Sequence, residues 1–214
     1  VSSLLQQLNF QLSDVVAEVR RSVVQVLNGR GGAGAGTIWH ADGLILTNAH
    51  VVRGSGGMRG LQVALQDGRV LNAQVIARDD ERDLAALAIE ANGLPTIQVG
   101  SARKLQAGQW VFAVGHPWGV ANAATGGVVI STGRSISELP KAEWVVVDLK
   151  LRPGNSGGPL VDVAGRMVGV NTIMTGILGG AAVSVESAKD FLKRNIGDGA
   201  AADPVPPQAK PELV

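Results

Sequence analysis

From Val23 onward the chain divides its apolar residues into about a dozen short runs, separated by Gly, Asn and Asp. The runs are Val23–Leu27, Thr37–His40, Leu44–Thr47, Leu61–Leu65, Val70–Arg78, Leu84–Ile89, Trp110–Val114, Val128–Thr132, Trp144–Leu149, Leu160–Val163, Arg166–Thr172 and Ala181–Val185. They have strand length, are rich in β-branched residues, and are punctuated by frequent turn signals. This pattern predicts an all-β, antiparallel barrel or sandwich. Helical spacing is confined to the two ends. Leu5, Leu8, Leu12, Val15, Val16, Val19 and Val23 predict a helix over residues 3–22, with a break expected near Asn9–Ser13, where Ser13 could cap a second stretch. A second helix is predicted at Ser187–Asn195, and residues 198–214 read as a Pro- and Ala-rich tail.

A chain of 214 residues fits one large all-β domain or two small ones. Its net charge of +1 argues against a nucleic-acid partner, and no apolar run is long enough to span a membrane. The absence of cysteine excludes a disulfide framework and a thiol nucleophile. No H-E-x-x-H or His/Asp cluster suggests a metal, so no cofactor is expected. Residues Gly29–Gly34 match G-x-G-x-x-G, but a dinucleotide site needs that motif to open a helix, and Thr37–Trp39 reads as strand. Val1 follows neither a methionine nor a signal-like leader, so processing or trimming of the N-terminus is expected.

The chemistry concentrates in Pro153-Gly154-Asn155-Ser156-Gly157-Gly158-Pro159-Leu160. Here one serine sits in a Gly-rich turn whose amides can point outward, as acyl transfer requires. A serine needs a base and a carboxylate to orient it. Thr47-Asn48-Ala49-His50 offers the first and Asp83-Leu84-Ala85-Ala86-Leu87 the second. Gly154–Gly158 also satisfies the esterase pattern G-x-S-x-G, but that fold needs a histidine after its serine, and His40, His50 and His116 all precede Ser156. A subtilisin order needs an aspartate before the histidine. Asp42, in the turn Ala41-Asp42-Gly43, is explained by turn chemistry alone. The order His50, Asp83, Ser156 is that of the chymotrypsin class.

On these blocks, with Gly34-Ala35-Gly36-Thr37-Ile38 and Gly115-His116-Pro117-Trp118-Gly119, the chain resembles the trypsin-like serine proteases of the HtrA (Deg) type. The resemblance implies a double β-barrel over residues 23–197, with barrels at roughly 23–100 and 105–186, a closing helix at 187–195, and residues 1–22 as a helical lead segment. HtrA proteins commonly continue into a PDZ domain, which is not found here, and the tail reads as a linker or a natural end. The resemblance further implies a periplasmic serine endopeptidase acting on unfolded or damaged polypeptides. A homotrimer joined through the N-terminal segment is also implied, the plainer reading being a helix packed on its own barrel. The alternative is a non-catalytic or conditionally inactive peptide-binding module of the same fold.

In this layout Ser156 attacks, His50 carries the proton and Asp83 holds the imidazole, with Thr172 as a further hydrogen-bond partner of Asp83. Gly154, Asn155 and Ser156 would supply the oxyanion hole. Digestive trypsins have an aspartate just before the nucleophile, which captures a new N-terminus. Asn155 has no charge to do so, and loop control is expected instead. Leu151, Thr172, Ile173 and Met174 would line the substrate pocket. If Leu151 and Met174 face it, small to medium apolar side chains are preferred; if Lys150 does, acidic ones are possible. His116 is expected as a loop residue beside the cleft.

Overall fold

A computed structural model of the chain describes residues 3–29, 33–54, 60–120, 123–133, 142–172 and 179–197. Helix α1 spans Leu4–Arg20 and α2 spans Val185–Ile196. Between them run β1 (Val23–Leu27), β2 (Ala33–His40), β3 (Leu44–Thr47), β4 (Gln62–Ala64), β5 (Val70–Asp79) and β6 (Leu84–Ile89). The second half holds β7 (Trp110–Gly115), β8 (Ala123–Gly133), β9 (Trp144–Asp148), β10 (Pro159–Asp162), β11 (Met167–Thr172) and β12 (Gly180–Ser184). The strands close two antiparallel barrels, ordered β1-β2-β3-β6-β5-β4 and β7-β8-β9-β12-β11-β10. The two rings have the same connectivity, six strands apart in the chain. Tail residues 198–214 and pocket residues Ile173 and Met174 lie outside the described residues.

Strand β6 shows how the sequence fixes the packing. Ala85, Leu87 and Ile89 point into the first barrel, with Val24, Val26, Ile38, Ile45 and Val63. Leu84 and Ala86 point the other way, into a seam with Trp39, Leu46, Trp144, Val183 and Phe191. Successive strand residues face opposite sides, so an apolar run here is buried on both faces. The second barrel closes around Val111, Val129, Val145, Val147, Leu160 and Val168. Residues of both barrels and of α2 meet in the seam, where Trp39 and Phe191 are fully buried. Each large side chain so placed contributes about 1.5–3 kcal/mol.

Two glycine-rich stretches that lie outside the predicted runs are strand. Gly34 and Gly36 lie in β2, where a Cβ would come within 2.7 Å of Val51 and 2.8 Å of Ile45. Gly127 lies in β8, where a Cβ would be 2.2 Å from the Asp148 carbonyl. Glycine admits close backbone approach there rather than marking a turn. Helix α1 is unbroken at Asn9–Ser13. A capping box between Ser3 and Gln6 starts it, and the polar residues in its middle lie on its exposed face. Helix α2 begins earlier than expected, because the Ser184 hydroxyl accepts from Ser187 N–H at 3.2 Å and caps it there.

Candidate active site

Asp83 stands one residue before β6, in the left-handed backbone region at φ 56°. Asn48, fully buried after β3, donates its side-chain amide to the Asp83 carbonyl at 2.8 Å and holds that conformation. The carboxylate faces back toward the same turn. One oxygen accepts the His50 backbone N–H at 2.9 Å, and the other lies 2.7 Å from His50 Nδ1. The latter oxygen also accepts the Thr172 hydroxyl at 2.8 Å. Burial pushes the Asp83 carboxyl upward, yet the His50 hydrogen bonds and charge, with Thr172, outweigh it and hold the group below its ordinary value. Asp83 is therefore ionised at neutral pH. With Nδ1 directed at Asp83, the ring nitrogen left for proton transfer is Nε2.

Ser156 occupies the turn between β9 and β10, and the turn is locked to both barrels. Its carbonyl accepts from Ala35 N–H on β2 at 2.8 Å, and Gly157 N–H donates to the Asn171 carbonyl on β11 at 2.9 Å. At Gly157 (φ 84°) a Cβ would collide with the Ala35 carbonyl and the Thr47 hydroxyl, so only glycine fits. The contacts run from Ser156 through Gly157, Asn171 and Thr172 to Asp83 and His50. The structure thus joins His50, Asp83 and Thr172 directly. The Ser156 hydroxyl is buried and makes no hydrogen bond, so the His50–Ser156 link is not made.

The amides before Ser156 are not equivalent. Asn155 N–H donates to the Arg152 carbonyl at 2.9 Å, closing a turn over residues 152–155. Expected as a third oxyanion donor, Asn155 has its N–H engaged in that turn, so it does not fill the role. Gly154 and Ser156 N–H donate to no backbone carbonyl among the described residues. Gly154 (φ 101°) lies against the connection after β7, where a Cβ would meet the His116 carbonyl at 2.2 Å. His116 is buried beneath this turn and donates its backbone N–H to the Gly154 carbonyl at 2.9 Å. Burial pushes its imidazole below the ordinary value, against a hydrogen bond with the Val24 backbone.

On the pocket side, β9 ends at Asp148, so residues 149–152 do not alternate as a strand. Leu149 is buried, Leu151 packs on the second barrel's core, and Lys150 is exposed. Leu151 lies beside Gly180, where a Cβ would come within 3.2 Å of its Cγ. Thr172 is buried with its hydroxyl turned to Asp83. Asn48, Ala35 and Asn171 were absent from the sequence reading as supporting residues. Asn48 stood in the Thr47–His50 block, but nothing local shows that its amide reaches Asp83, 35 residues away.

A family model described as "Trypsin-like peptidase domain" matches residues 34–170. HhoB of Synechocystis sp. is 41% identical over 145 residues, covering 66% of this chain and 34% of that protein. The "Probable periplasmic serine endoprotease DegP-like" of Halomonas elongata is 35% identical over 171 residues, or 78% of this chain and 35% of its own length. The chain thus spans about a third of the length of these relatives. Among solved structures, a variant of the HtrA-type protease AlgW with a tripeptide superposes with TM-score 0.79 at 32% identity, covering 88% of this chain and 64% of that one. The serine endoprotease of Yersinia pestis gives TM-score 0.78 at 31% identity, over 88% of this chain and 67% of that one. With a doubled six-strand barrel and a match covering most of its length, the chain belongs to the trypsin-like peptidase family, among its HtrA-type members.

Proposed function

We propose that the chain is a serine endopeptidase that cleaves unfolded or damaged polypeptides through an acyl-enzyme on Ser156. The observation that carries this reading is the His50–Asp83 pair, 2.7 Å apart and braced by Thr172, on the contact path that leads to Ser156. Ser156 attacks the peptide carbonyl while His50 Nε2 takes its proton. The ionised Asp83 stabilises the resulting imidazolium, and His50 returns the proton to the leaving amine. The Gly154 and Ser156 amides receive the oxyanion, each donor being worth roughly 100- to 1000-fold in rate. With Leu151 half-buried against the second barrel beside Gly180 and Lys150 exposed, we expect a small to medium apolar side chain before the cleaved bond. Relatives described as periplasmic endoproteases support an extracytoplasmic, periplasmic setting, and the quality-control role is part of our proposal from the HtrA-type membership. On α1, Leu4, Leu5, Leu8 and Phe10 are exposed, which supports a trimer contact on this segment.

The test is Ser156→Ala with fluorescent casein and a fluorophosphonate probe. Loss of both cleavage and labelling with an unchanged circular dichroism spectrum is expected; cleavage by the variant at the original rate refutes the assignment. The unbonded Ser156 hydroxyl favours a second reading, an enzyme at rest until its loops are ordered. That state would label slowly alone and faster with an unfolded polypeptide present, because catalytic hydrogen bonds often tighten only in the complex.

A further inference from the structure

We propose that Trp118 is a positioning residue for the Gly154 amide, acting together with Arg152; this rests on the hydrolytic reading above. Trp118 adopts a left-handed backbone at φ 52°, which is disfavoured for a bulky residue, and its side chain is 70% exposed. Neither local preference nor burial accounts for that conformation. Its contacts do. Trp118 N–H donates to the Pro153 carbonyl at 3.0 Å, next to the bond from His116 N–H to the Gly154 carbonyl. The turn is closed by Gly119 N–H on the His116 carbonyl at 3.0 Å and Val120 N–H on the Pro117 carbonyl at 2.9 Å.

A trans peptide aims its C=O and N–H in opposite directions. With the Pro153 carbonyl anchored on Trp118, the Gly154 N–H of the same peptide points away from Trp118, and it is one of the two amides left without a backbone acceptor. Turning this peptide over would swing a carbonyl to where the oxyanion donor stands, and it requires breaking the Trp118 bond. The Arg152 guanidinium lies 5.0 Å from the centre of the Trp118 ring. Arg152 is also the residue whose carbonyl takes the Asn155 N–H. The cation–π contact therefore ties the first residue of the oxyanion turn to the turn that anchors its second.

Trp118→Gly keeps the N–H and fits the left-handed backbone while removing the ring; Arg152→Gln removes the cation. Each is expected to lower kcat on fluorescent casein, and the rate of fluorophosphonate labelling at Ser156, by about two- to five-fold, the factor an exposed cation–π contact converts into. KM should stay within error, and Trp118→Phe, which keeps a ring, should retain most of the rate. The double variant should be no slower than either single one. Losses that multiply in the double variant, or a rise in KM with kcat unchanged, would show that Arg152 acts on substrate by itself and overturn the proposal. Wild-type labelling in both single variants would sink it alone. A parent chain that never labels would remove the hydrolytic reading, and this with it.

Discussion

Replacing Thr172 by valine removes one hydroxyl and almost no volume. That hydroxyl is buried and donates at 2.8 Å to the Asp83 oxygen that also faces His50 Nδ1. A hydrogen bond to a charged group contributes about 1.5–3 kcal/mol. Asp83 keeps both His50 contacts in the variant, so the lower end applies, about 1.5 kcal/mol. In a domain of this size that is a fall in Tm of about 3–6 °C. The pH dependence identifies the cause. Asp83 titrates below its unfolded value, so its stabilising effect is present above the unfolded carboxyl pKa of about 3.9 and is lost as pH falls through the folded one. Thr172→Val moves the folded value back up. Urea unfolding should therefore give the full gap between variant and parent at pH 7, shrinking as pH falls below about 4. Thr172→Ser keeps the hydroxyl and should keep the pH-dependent part. A gap of the same size at pH 7 and pH 3, or serine behaving like valine, would mean that Thr172 matters through packing and not through the Asp83 charge.

Two further outcomes follow from groups already placed. His116 is held below its ordinary pKa, so the unfolded chain binds its proton more readily. Stability should fall as pH drops below about 6.5 and level off beneath the folded value; denaturation midpoints at pH 7.5 and pH 5.5 should differ less in His116→Gln, and equal slopes would dismiss the effect. Leu5→Asp with Leu8→Asp places charge on the exposed apolar face of α1; on the proposed trimer contact, light scattering should give a trimer mass for the parent and a monomer mass for the variant, with little change in Tm. A lower Tm at constant mass would return α1 to the plainer role of packing on its own barrel.

The strand pattern was legible wherever apolar residues alternate or run unbroken between turn residues. Leu84–Ile89 is the clearest instance, because burial on both faces leaves no polar position to obscure the run. The pattern failed where glycine carries a strand. Gly34-Ala35-Gly36 offers almost no side chain to detect, yet it is the edge on which the Ser156 carbonyl rests. His50 and Asp83 stood out because each opens or follows a strand in a recognisable block. Their supports did not. Thr172 was expected beside Asp83 only through the family resemblance, and Asn48 was not expected there at all, since a hydrogen bond across 35 or 89 residues leaves no local trace. The unavailability of the Asn155 amide was likewise invisible, because it depends on a peptide orientation and not on a residue type.

The pattern of fixed and free groups around Ser156 says where control of this site must act. Downstream, the Ser156 carbonyl, Gly157 N–H and Gly158 N–H are each bonded, to Ala35, Asn171 and Asn155. The His50 ring is fixed at Nδ1 by Asp83, which is itself held by Asn48 and Thr172. Moving the barrels apart would break the Ala35–Ser156 and Asp83–Thr172 bonds together and open the seam around Trp39, Trp144 and Phe191. That is a costly route to a switch. The Ser156 hydroxyl, by contrast, is buried and held by no hydrogen bond. The upstream segment, Arg152–Gly154, is held instead from the connection after β7, by backbone bonds to His116 and Trp118 and by one surface contact. A change in the turn before the serine would leave the His50–Asp83 pair and the Ala35–Ser156 bond as they stand, because none of its bonds is shared with them.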